Sequence, residues 1–213
     1  MPTISSLGKA SWETIHKLWE GLGYYTRVRN LQKAAKIISE KYGGKFPENF
    51  KNVLALPGIG RYTAGAICSI AFNQPTPILD GNVIRVLTRV FGIGENPREK
   101  KTNDHLWNLA GELIQAAKKR EQASRLGGQA RWPPYFICGA LNQSLMELGA
   151  LICTPRQPKC FLCPLQKNCV AFRKNLVEKI PNLPERIKPT ARRFFAFVVE
   201  RRGKFFVRQR ASG

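Results

Sequence analysis

The chain contains no run of about 18 apolar residues, the length a membrane-spanning helix needs. It also lacks an apolar stretch near Met1 that would read as a secretory signal. From these absences an intracellular protein with no membrane partner is expected. Acidic residues are scarce: 14 Asp+Glu stand against 35 Lys+Arg, a net charge of +21. That excess goes beyond what solubility needs. It implies a polyanionic partner, because each phosphate neutralised by Lys or Arg releases counterions. Charge alone does not choose among DNA, RNA and an anionic surface. Global disorder is excluded by a hydrophobic content of 43% in 213 residues, enough for a core.

Two of the six cysteines, Cys68 and Cys138, lie in apolar runs and read as buried thiols without chemistry. The other four, Cys153, Cys160, Cys163 and Cys169, fall in CTPRQPKCFLCPLQKNC with spacing Cys-x6-Cys-x2-Cys-x5-Cys. Four thiolates in so short a loop can close around one metal centre without help from the rest of the fold. Zinc sites built from CxxC usually show two such pairs, and only one is present. An iron–sulfur cluster and a structural zinc both remain open. Disulfides fit an intracellular chain poorly.

Helical periodicity dominates the first two thirds. SWETIHKLWEGL places Ile15, Leu18 and Trp19 on one face behind a Ser11 cap. VRNLQKAAKIISEKY repeats the pattern with Val28, Leu31, Ala35 and Ile38, ending at Gly43-Gly44. Further helices are expected from Pro47 to Leu54, Arg61 to Phe72, Asp80 to Phe91, Asn103 to Ala117 and Ala140 to Leu151. Residues 118–136 are basic and punctuated by Gly and Pro, and read as an exposed insertion. At the end, FFAFVVERRGKFFVRQR is two β-rich runs joined by Arg201-Arg202-Gly203-Lys204, a hairpin signature.

Two segments carry chemistry. In LPGIGRYTAGAI, Leu56 to Ile67, Gly58 and Gly60 let the backbone bend and approach a ligand closely. Amides at the start of the following helix would then face a phosphate, aided by the helix dipole. Arg61 and Lys51 add charge nearby. A plain helix pair joined by a Pro-Gly turn is the ordinary alternative. Twenty residues after Gly60 comes PILDGNVIRVL, with Asp80 just ahead of a helix. Such an Asp is most often only a cap. It can also stabilise positive charge developing on a sugar as a glycosidic bond breaks. The two roles are compatible.

Together these segments resemble the endonuclease III and MutY superfamily of helix-hairpin-helix DNA glycosylases. The cysteine spacing resembles that superfamily's iron–sulfur loop, which implies a 4Fe-4S cluster. The resemblance implies a mainly helical fold with two lobes, a lesion pocket between them, and Asp80 as the catalytic aspartate. It also implies a monovalent cation on the hairpin carbonyls. Lyase members carry a lysine just after the hairpin Gly-x-Gly-Arg, and Tyr62 stands there in this chain. Without that amine the Schiff-base route is closed. Asp80-Gly81-Asn82-Val83, WEGLGYYTRVRNL and NQSLMELGALICT all resemble the MutY branch, whose members remove adenine mispaired with 8-oxoguanine after flipping it out of the duplex.

By that resemblance Asp80, Tyr62 and Asn82 form the catalytic set. Tyr24 would wedge into the base stack, although Tyr24 and Tyr25 also read as core aromatics. Leu56, Gly58, Gly60, Arg61 and Thr63 would grip DNA at the hairpin. Arg156 and Lys159 would touch its backbone from the cysteine loop, or else be solvated charges. The expected partition is a glycosylase domain over 1–175, a linker over 176–192, and the start of a Nudix-like β domain over 193–213. Family members carry further residues ahead of the segment matching Pro2-Thr3-Ile4, with a glutamate that protonates adenine and a glutamine-rich wedge. Neither Glu13 nor Glu20 matches that glutamate. Loss of a general acid costs about 10²–10⁴-fold. The chain therefore reads as truncated at both ends and monomeric. A DNA-gripping fragment without catalysis is the alternative.

Overall fold

The computed structural model describes residues 1–126, 137–184, 190, 193 and 198–206. The chain divides into two units, Met1–Leu183 and Pro184–Gly213. The first is helical: α1 Ile4–Lys9, α2 Trp12–Leu18, α3 Tyr25–Lys41, α4 Phe50–Leu54, α5 Arg61–Phe72, α6 Gly81–Phe91, α7 Lys100–Leu126 and α8 Ile137–Glu147. A π-turn, Leu148–Ile152, leads from α8 into the cysteine loop, and α9, Val170–Arg173, follows that loop.

Side-chain caps start several of these helices. Thr3 and Ser6 form a capping box on α1, and Ser11 accepts the Thr14 amide at the start of α2. Asn49 caps α4, so that helix begins three residues after Pro47 rather than at it. α1 was not expected, because six residues are too few for a periodic signal. It packs on α3, where Gly8 lets the two backbones approach closely. Leu18 and Leu31, read as inward-facing, are 65% and 47% exposed, and Ala34 takes the buried place on α3.

α7 corrects a larger expectation. It does not stop at Ala117 but runs on to Leu126, through the first half of the expected insertion. Lys, Arg, Glu, Gln, Ala and Leu, which make up all of 118–126 but Ser124, are strong helix formers whose dense charge masks that propensity. Lys118 pairs with Glu121 at 2.9 Å, with Glu121 buried. The remainder of the insertion, 127–136, lies outside the described residues.

The core falls into three apolar clusters. Ile78, Leu79, Val83, Leu87, Leu106 and Trp107 join α6, α7 and the segment before α6. Ala34, Ile38 and Leu56 join α3 to the hairpin, and Val53, Ala64 and Cys68 join α4 to α5. Cys68 and Cys138 are fully buried, as read, and burial pushes both thiols up. The first unit continues past residue 175. Ile180 is 4% exposed and its carbonyl accepts Arg89 Nε at 2.8 Å.

In the second unit β1, Glu200–Arg201, pairs antiparallel with β2, Lys204–Phe205. Arg202 and Gly203 both take positive φ, 53° and 72°, the signature of a type I′ turn. Phe194–Phe197 and 207–213, the rest of the expected runs, lie outside the described residues.

Gly65 is the tightest point of the helical unit. A Cβ there would sit 2.2 Å from Pro77 O. Gly65→Ala is expected to lower stability by roughly 1–3 kcal/mol or more, read as a lower urea midpoint; an unchanged midpoint would contradict the packing described.

Candidate active site and cysteine loop

Asp80 caps α6. Its Oδ1 accepts the Val83 amide at 2.7 Å and its Oδ2 accepts Asn82 Nδ2 at 3.2 Å. Two donors therefore fix the carboxylate's orientation while the residue stays half-buried. Cap and candidate catalyst coincide, as the sequence allowed. Asn82 Oδ1 in turn accepts Arg85 NH2 at 2.8 Å.

The hairpin folds as its glycines require. Gly58 has φ +80°, and a Cβ there would meet Asn30 Cβ at 2.7 Å. Gly60 precedes α5 without a side-chain cap, in contrast to α1, α2, α4 and α6. No side chain caps the first-turn amides of α5, from Arg61 through Thr63, and the same holds for α3. Leu56 is 3% exposed, so only its backbone can meet a ligand; its carbonyl accepts the Ile59 amide. The Arg61 guanidinium lies 4.0 Å over the Trp107 ring, held rather than free. Tyr62 is 38% exposed and its hydroxyl donates to Met146 Sδ at 3.4 Å.

Tyr24 is no core aromatic. It is 81% exposed, in left-handed backbone at φ 47°, ahead of α3. Trp19 Nε1 donates to Gly23 O at 2.8 Å and pins the turn that presents it. Tyr25 is also exposed and packs on the His16 ring.

The four loop cysteines line one apolar cavity with Val86, Val90, Leu148 and Phe172. Burial, then neighbouring cysteines, push the Cys160 thiol up; for Cys163 burial is again the main cause. Among the described residues no three His, Cys, Asp or Glu converge on a single ion. Arg156 and Lys159 are exposed on the loop.

Two arginines on α6, missed at the sequence level, fasten this loop. Arg85 donates to Cys153 O and to Gly149 O, both at 2.6 Å. Burial pulls its guanidinium down, and Cys153 pushes it back. Arg89, 2% exposed, donates to Thr154 O, Pro155 O, Cys153 Sγ and Ile180 O. Its own carbonyl accepts the Cys169 thiol at 3.4 Å. One residue thus touches the first and last loop cysteines. Two arginines four apart, on a helix otherwise dominated by Val, Ile and Leu, are the visible signal. Gly149 completes the contact, since a Cβ there would meet Asn82 Cβ at 2.6 Å. Arg89→Met orphans several buried carbonyls and is expected to cost roughly 3 kcal/mol or more. Urea unfolding checks this. Faster tryptic cleavage after Arg156 or Lys159 should accompany it, and an unchanged cleavage rate would contradict the clamp.

Residues 1–112 match the family described as HhH-GPD superfamily base excision DNA repair protein. An adenine DNA glycosylase of Mus musculus is 42% identical over 87% of this chain and 32% of its own length. One from Buchnera aphidicola subsp. Acyrthosiphon pisum (strain APS) is 41% identical over 87% of this chain and 49% of its own. The chain thus spans a third to a half of these relatives. A thermostable thymine-DNA glycosylase structure aligns with TM-score 0.65 at 30% identity, over 82% of this chain and 71% of that one. An endonuclease III–DNA complex aligns with TM-score 0.59 at 22% identity, over 83% and 72%, which shows the fold alone. Helical unit, hairpin and matched residues together make this chain a member of the HhH-GPD superfamily of base excision DNA repair proteins.

Proposed function

We propose that the chain carries the catalytic core of an adenine DNA glycosylase acting on adenine opposite 8-oxoguanine in duplex DNA. Asp80 carries the reading: a carboxylate held by two donors at a helix start, on the segment returning from an uncapped hairpin helix. The adenine DNA glycosylases named among the relatives support the choice of base.

In this reading the adenine flips out of the stack. Its C1′–N9 bond breaks, and the bonding pair leaves with the base, which takes up a proton. The sugar is left as an oxocarbenium ion. Asp80 faces that charge, and Asn82 and the Val83 amide keep its oxygens aimed. Water then adds to C1′ and loses a proton, giving an abasic site. Tyr62 supplies no amine, so the strand is not cut by a Schiff-base route. Tyr24 wedges beside the damaged guanine, an assignment its exposure supports. Phosphates are gripped by the amides from Gly60 to Thr63, with Gly58 giving close approach and a monovalent cation on hairpin carbonyls such as that of Leu56. Arg61, Arg156 and Lys159 add charge.

Cys153, Cys160, Cys163 and Cys169 would hold a 4Fe-4S cluster. The donor set fits, because four thiols surround one apolar space rather than a point. When bound, the cluster cross-links the loop and offsets the thiolate charge.

DNA binding without base release is the second reading. The placement of Glu13 and Glu20 favours it: they line a depression with His16, Lys17, Tyr25 and Arg29 that does not include Asp80, so neither stands as a proton donor beside that carboxylate. Under single-turnover conditions, with an adenine:8-oxoguanine duplex and alkali to reveal abasic sites, release is expected and Asp80→Asn should slow it at least about 10²-fold. Unchanged release by the mutant sinks the assignment, and binding without release selects the second reading. Cys163→Ala should lose bound iron and visible absorbance; full iron retention would contradict the ligand set.

A further inference from the structure

The segment Gln74–Leu79 has neither helix nor strand, yet it delivers Asp80. It turns back along α5 after Asn73, whose left-handed conformation ends that helix. Thr76 Oγ1 donates to Gly65 O at 3.0 Å, and Pro77 lies against Gly65.

A half-buried segment outside any ladder needs partners for its carbonyls where water does not reach them. Side chains from other helices supply them. Gln115 Nε2 of α7 donates to Pro75 O at 3.3 Å, and Asn142 Nδ2 of α8 donates to Thr76 O at 3.0 Å. Asn142 Nδ2 also lies 2.8 Å from Ser69 Oγ of α5. Asn142 is 3% exposed and Ser69 is fully buried. Because Thr76 O only accepts, the amide orientation is set by the network. One amide group therefore ties α8 both to α5 and to the returning segment.

We infer that Asn142 is a positioning residue for Asp80. By holding Thr76 against α5 it sets the register between the hairpin amides and the carboxylate four residues on. It acts through the backbone and is not itself catalytic. The inference rests on the reading of Asp80 given above.

The test compares two duplexes, each with 8-oxoguanine opposite an abasic analogue. One analogue is a cationic pyrrolidine that mimics the oxocarbenium ion, and the other is a neutral tetrahydrofuran. The wild-type chain is expected to prefer the cationic duplex, and Asp80→Asn to lose that preference. Asn142→Ala should lose most of it, on the order of 10- to 10²-fold, as for a small misplacement of a reacting group. Affinity for the neutral duplex should hold. Ile114→Val, a buried change elsewhere on α7, controls for lost stability and should keep the preference. Retention of the preference by Asn142→Ala overturns the inference, as does equal loss by Ile114→Val. A wild type that shows no preference fails the reading of Asp80 itself, and the inference falls with it. A readout without DNA is the Val83 amide, which Asp80 holds; its exchange should quicken in Asn142→Ala and not in Ile114→Val.

Discussion

Arg89 is a cation that the fold has almost wholly removed from water. Such a charge is tolerated only where its donors are met. Here three of the acceptors that meet them, Cys153 Sγ, Thr154 O and Pro155 O, open the cysteine loop, and a fourth, Ile180 O, follows α9. The loop therefore cannot leave α6 without exposing that cation to unpaired burial. Arg85, one turn earlier, repeats the arrangement on Gly149 and Cys153. From Arg85 the network continues through Asn82 to Asp80. α6 thus joins two things that the chain keeps some seventy residues apart: a carboxylate at its start and a thiol-lined cavity along its side.

The same logic of buried polar groups operates on the other side of Asp80. Between α5 and α6 the backbone has no regular partner; Gln115 and Asn142 take over that role, and the Thr76 hydroxyl ties the segment to the Gly65 carbonyl of α5. Glycines set the distances. Gly65 admits Pro77, Gly149 admits Asn82 and Gly58 admits Asn30, each at a separation no Cβ would allow. A rigid carboxylate results from side chains and small residues outside it. That arrangement suits a group whose task is to oppose a developing charge.

Much of this was legible from residues alone. The Asp80 cap, the bend at Gly58 and Gly60, the buried Cys68 and Cys138, and the 201–204 turn all follow from local chemistry, and local chemistry is what a sequence displays. The α7 extension was also local, but its dense charge read as a loop although the residues favour helix. Non-local features were harder. Asn142 looks like any polar residue in a helix until Thr76 and Ser69 are seen beside it. Leu56 looked like a contact residue by motif, yet its side chain is core. Tyr24 could have been core or wedge, and only its exposure separates the two.

Fastened in this way, the cysteine loop and α6 open as one body. Native-state hydrogen exchange across a denaturant series measures this directly. Amides of Lys159, Cys163 and Cys169 in the loop, and of Ile84 in α6, are all hydrogen-bonded and observable. All four are expected to share one opening free energy and one denaturant slope. Loop amides that exchange through a separate, much cheaper opening while Ile84 stays protected would contradict it.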